Sequence, residues 1–185
     1  MEGTIGSASD ELASVACNSV GQGAWALVLV RCMRHSPEAV WSALTDPVLL
    51  RRWAPNVPDR NLGSVGPATV TLRAGCRSVD LAARVTRADP GRSLECTWAE
   101  DHLLWDLSPV ASGTRLTLEH TFLERAWAPE IAAGWHVHLD SAERVLDRHT
   151  ARAICRTEPP SYRWHELVYD YGELLVRPPS AGRRR

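Results

Sequence analysis

The chain has 185 residues, 44% of them hydrophobic and 23% charged, with a formal net charge of -1 and a pI near 6.7, the composition of one domain with a substantial core. It offers no basic field for a nucleic-acid backbone, and no apolar run approaches the roughly 20 residues that span a bilayer, so neither nucleic acid nor membrane is an expected partner. All 21 basic residues are arginine, which excludes a lysine Schiff base or a lysine general base.

Residues 1–23 are rich in Ser, Gly and Ala and are expected to be a mobile or loosely docked extension with at most a short helix at Asp10–Ala16. Their start is acidic and has no apolar core, so they do not read as a secretory signal, and a cytoplasmic location is expected. The five cysteines, Cys17, Cys32, Cys76, Cys96 and Cys155, are widely spaced without a C-x-x-C, which argues against a disulfide framework or a zinc site. A single domain is expected over residues 24–176, followed by a disordered tail over 177–185.

Trp25–Met33 is β-branched and apolar and predicts a first strand whose one charge is Arg31. Ser36-Pro37 and Asp46-Pro47 are each an N-cap followed by proline at the first helical position, so two short helices should follow, carrying Val40, Trp41 and Leu44, then Leu49, Leu50 and Trp53. Pro55–Pro67 reads as a loop or an irregular edge strand around Leu62. Five alternating segments follow, Ala68–Ala74, Val79–Thr86, Ser93–Trp98, Leu103–Ser108 and Leu116–Phe122, each closed by a turn signal such as Asp89-Pro90-Gly91 or Ser112-Gly113. They predict an antiparallel meander with one wet face.

Trp127–His149 predicts the longest helix. Trp127, Ile131, Trp135, His138, Leu139, Ala142, Val145, Leu146 and His149 recur at steps of three and four, and Glu130, His136, Asp140, Glu143, Arg144, Asp147 and Arg148 fall on the opposite, solvated side. A connector over Thr150–Tyr162 and a short capping helix with Trp164, Leu167, Tyr171 and Leu174 complete the chain.

The order strand, two short helices, meander and long helix resembles the helix-grip fold of the START superfamily, also called SRPBCC, which includes the birch pollen allergen. The branch it is most similar to is named after the activator of the heat-shock-protein-90 ATPase, in its stand-alone bacterial form. The resemblance is carried by His35–Pro47 with Trp53, by Val85–Trp98, by Gly113–His120, by Gly134-Trp135 with Leu139, and by Trp164 and Tyr171. It implies an α+β fold in which a curved antiparallel sheet of six to seven strands wraps a long C-terminal helix, and a cavity of several hundred cubic ångströms between them. Gly63 and Gly66 stand apart where the branch tends to have an adjacent pair, so the register of that edge is open.

On such a fold Trp53, Trp98, Leu103, Trp105, Leu118, His120, Phe122, Trp135 and His138 would face inward, with Leu81, and are the candidate ligand-binding residues. Each tryptophan is equally a packing residue, because an aromatic stripe at strand or helix spacing usually is. His120 occupies a position where alternation demands an apolar side chain, and a buried imidazole needs a partner. His138 could face it across the cavity. His136 and Asp140 lie four apart on the outward side without a third ligand, so no metal is expected, and no nucleotide fingerprint calls for a cofactor. The expected partner is a small hydrophobic molecule bound to a monomer or homodimer. Two rivals are open: a polyketide cyclase or aromatase in which His120 or His138 moves protons with Arg31 or Asp106, and a chaperone-associated module.

Overall fold

The computed structural model describes residues 11–74, 77–148 and 162–176. Eight strands form one antiparallel sheet: β1 Ser14–Gly21, β2 Ala24–Met33, β3 Asn56–Pro58, β4 Gly66–Ala74, β5 Arg77–Asp89, β6 Ser93–Trp98, β7 Asp101–Val110 and β8 Gly113–Phe122, in the spatial order β1-β2-β8-β7-β6-β5-β4-β3. Between β2 and β3 lie α1 Pro37–Thr45 and α2 Pro47–Trp53; after β8 come a short 3-10 turn at Arg125–Trp127, the long helix α3 Ala128–Leu146, and α4 Tyr162–Val176. This is the α+β helix-grip architecture that the order of elements implies.

The caps act as predicted. Ser36 Oγ accepts from Ala39 N at 3.4 Å and Asp46 Oδ1 from Val48 N at 2.8 Å, each satisfying a helix-start amide that would otherwise lack a partner. Period-2 alternation holds across the meander: Leu103, Trp105 and Leu107 on β7 and Leu116, Leu118, His120 and Phe122 on β8 are all buried. Leu27 pairs with His120 and Leu29 with Leu118, so β2 continues the same inner face, and Arg31 lies on that face beside Leu116. Gly113 closes the β7–β8 turn at φ +137°, and a Cβ there would stand 2.2 Å from Met33 O, so only glycine fits.

Three expectations need correcting. First, the sheet has eight strands rather than six or seven, because Ser14–Gly21 is a strand and Asn56–Pro58 a short edge strand. No helix forms over residues 14–16. Ala13, Val15 and Cys17 turn inward against β2 and the hydroxyl of Tyr171 accepts the amide of Ala13 at 3.1 Å, so tertiary pairing decides a segment of weak propensity. Second, of the loop or irregular edge strand expected around Leu62, the loop is what forms and the edge strand lies earlier, at Asn56–Pro58: Leu62 is a buried anchor whose amide donates to Thr45 O at 3.0 Å, while Arg60 ties the loop by donating to the carbonyls of Asn61, Ser64, Gly66 and Pro67.

Third, α3 has 19 residues and begins after Trp127, which is exposed; Pro129 near its N-terminus and the left-handed Arg148 (φ 61°) just past its end set its limits. His149 and the connector lie outside the described residues. The helix is also not half-wet. His136 and Glu143 are buried, and of its own residues only Glu130 and Arg144 are exposed. Glu130, Arg144, Asp147 and Arg148 do face water, whereas His136, Asp140 and Glu143 meet β2 and α4. Arg31 reaches Asp140 Oδ1 at 2.6 Å and Glu143 Oε2 at 2.5 Å, and the Tyr171 hydroxyl of α4 lies 2.8 Å from His136 Nδ1. The hydroxyl thus accepts from Ala13 N–H and also pairs with His136 Nδ1, in a bond whose donor is set by the imidazole tautomer. α4 approaches closely where Gly134 leaves 3.6 Å between its would-be Cβ and the Trp164 ring.

Candidate functional site

The other side of α3 faces the concave sheet, and Trp135 is the residue that fills the space between them. Its ring lies edge-on to Trp105 (centroids 5.0 Å, 88°) and near-parallel to Trp98 (6.5 Å, 21°). These are the offset and T-shaped arrangements that ring quadrupoles favour. The indole Nε1–H donates to His120 Nδ1 at 3.0 Å, so His120, 7% exposed, has the partner that burial demands. That bond makes Nδ1 the acceptor and leaves the ring proton on Nε2, which lies 3.4 Å from Asp101 Oδ2 without hydrogen-bond alignment.

The predicted residues separate into two groups. Trp53, Trp98, Trp105 and Trp135 converge on one space beneath α2 and β3. Trp53 is held there by its own Nε1–H, which donates to Ala43 O of α1 at 3.0 Å. Leu103 and Leu118 are fully buried in the sheet face, and Phe122 packs edge-on to His120 at 6.0 Å, so these three back the site rather than line that space. His138 is half-buried one turn along α3. It and His120 are brought together around Trp135, their rings 6.2 and 6.0 Å from it. Leu81 is half-buried further along β5.

The space itself is small. Where several hundred cubic ångströms are expected, about 30 Å³ is open, room for about one water molecule. The Trp135 ring packs against Trp98 and Trp105 in that space. Among the lining residues that the sequence did not nominate, two carry polar side-chain atoms of interest. Asn56, on the edge strand β3, is one of the lining residues, and its Oδ1 is buried without a hydrogen-bond partner; nothing in Pro55-Asn56-Val57-Pro58 marks it. Cys96 of β6 lines the space as well, on the face it shares by alternation with Leu94 and Trp98.

Burial, with a smaller push from Glu95, raises the Cys96 thiol from 9.0 to about 12, so it is a neutral apolar wall and not a nucleophile at physiological pH. A thiol whose folded pKa lies above its unfolded value keeps more protons in the folded state. Stability is therefore intact below about pH 9 and is lost as pH rises from about 9 to about 12, at no more than about 1.4 kcal/mol per pH unit. Alkylation at pH 8 followed by peptide mapping should label exposed Cys32 rapidly and Cys96 only as the chain unfolds; equal labelling rates would show the inner face to be open. Among the described residues no three His, Cys, Asp or Glu side chains cluster as metal ligands, and no helix is long and apolar enough to cross a membrane.

The architecture is shared with solved structures. The solution structure of CalU16 from Micromonospora echinospora superposes with a TM-score of 0.66 at 22% identity, covering 91% of this chain and 94% of that one. A conserved protein of unknown function from Enterococcus faecalis, EF2215, gives 0.59 at 16% identity over 88% and 91%. The AHSA1 protein from Silicibacter pomeroyi gives 0.56 at 23% over 67% and 99%. At these identities the likeness is one of fold. No curated protein matches the sequence. The model of the family described as activator of Hsp90 ATPase homolog 1-like protein matches residues 34–147, from the end of β2 to the C-cap of α3 and more than half of the chain. The chain belongs to that family.

Proposed function

We propose that this protein binds a small apolar, aromatic or polyketide-like molecule between the sheet and α3, for sequestration, presentation or resistance, and that Trp135 moves aside to admit it. The observation that carries this reading is the convergence of Trp53, Trp98, Trp105 and Trp135 on one space lined by no acidic or basic residue. Four indoles provide broad apolar contact, and one rotation about the Trp135 side chain would turn a filled core into a pocket. A panel of polycyclic aromatic and polyketide-like compounds should quench tryptophan fluorescence saturably and raise the melting temperature. A ligand at 100 times its Kd adds about 2.7 kcal/mol to stability. No shift with any compound at such excess would end this reading.

A second reading is a cyclase or aromatase acting in the same space, and the observation that favours it is His120 with Nε2 3.4 Å from Asp101 Oδ2. An imidazole so placed can exchange a proton once Nδ1 is released from Trp135. Turnover of a bound compound that falls at least about a hundredfold in His120→Ala supports it; binding without turnover leaves the binding protein.

A further inference from the structure

We propose that the ligand of this site is a planar aromatic carrying a ring N–H or phenolic O–H, which takes the place of the Trp135 indole and donates to His120 Nδ1. The inference rests on the binding reading above and adds the chemical class. Trp135 now supplies three things at once: an edge against Trp105, a face to Trp98, and a proton for a buried acceptor. If it swings out, Trp98 and Trp105 lose an aromatic neighbour and His120 Nδ1 loses its donor. Any flat ring restores the first two. Only a donor restores the third, and a buried acceptor left unmet is penalised.

Another polar group on the wall agrees in sign. Asn56 Oδ1 is a second buried acceptor on the wall, already without a partner. An anion gains nothing here, because no arginine lines the space and Asp101, on the far side of His120, repels it. The site is therefore matched to a neutral ring with one or two donors.

The test uses the full chain bearing Trp135→Ala, titrated calorimetrically with indole and with indene, the same bicycle with CH2 in place of N–H. Indole should bind about tenfold more tightly, and adding His120→Phe should abolish the preference. The wild-type protein provides the same comparison should the alanine variant not fold: 2-naphthol should raise the melting temperature more than 2-methoxynaphthalene. Equal affinity for both members of each pair overturns the donor requirement and leaves the apolar-ligand reading standing. If none of the four compounds binds either protein, the apolar-ligand reading falls as well.

Discussion

Replacing Arg31 with methionine is expected to remove about 3–5 kcal/mol of stability, more than any other single charge in the described structure. Arg31 projects from the inner face of β2, where its neighbours Leu27 and Leu29 are fully buried, and its side chain is 10% exposed. Burial alone would pull its pKa down; Asp140 and Glu143 outweigh that and hold the guanidinium above its ordinary value. Methionine keeps the stem's packing and leaves the two carboxylates without their arginine, with only the His136 ring 3.5 Å from Asp140 and the Arg34 amide 3.3 Å from Glu143. Adding Asp140→Asn and Glu143→Gln to Arg31→Met should recover most of the loss, since the penalty comes from uncompensated charge rather than from a missing contact. Urea unfolding of the single and triple variants at pH 7 decides it. A single variant within about 1 kcal/mol of wild type would show the cluster to be wet.

Trp135→Ala is expected to cost about 3–5 kcal/mol, a fall of roughly 6–20 °C in melting temperature for a chain of this size. The loss has two sources, the contacts of the ring with Trp98 and Trp105 and the donor to His120. It should also turn an open space of about 30 Å³ into one of ligand size, which Trp105→Ala on the rigid sheet would not do as selectively. Thermal unfolding with and without an added aromatic measures both effects: the melting temperature should fall and then recover with ligand. A variant that melts like wild type would mean that the ring is not packed in solution.

These residues mark where the sequence is legible. Ser36-Pro37 and Asp46-Pro47 announce the two short helices because capping is local chemistry, and Leu116, Leu118, His120 and Phe122 announce β8 because alternation is a property of one strand. Ser14–Gly21 is silent. Its residues are small, its strand lies at the sheet edge, and its partners are β2 and Tyr171, 158 positions from Ala13. The wet side assigned to His136, Asp140 and Glu143 fails for a related reason: polar residues four apart on a helix look the same whether water or a buried arginine answers them. His120 stands out as a polar residue in an apolar register, yet its partner could be found only once α3 was laid on the sheet. Asn56 gives no signal, since an amide between prolines reads as a turn. The expectation of a large cavity came with the resemblance, and Trp135, which packs in the small space found instead, shows in sequence only as one more apolar residue on a helical stripe.

Trp135 is expected to occupy the ligand's place and to yield it. The most direct measurement follows the indole N–H resonances of the eight tryptophans in a 1H–15N spectrum during titration with 2-naphthol. Trp135 Nε1–H should start downfield, as a donor to His120, and move further than any other indole as the site saturates. Saturable binding with the Trp135 resonance unmoved would contradict the account.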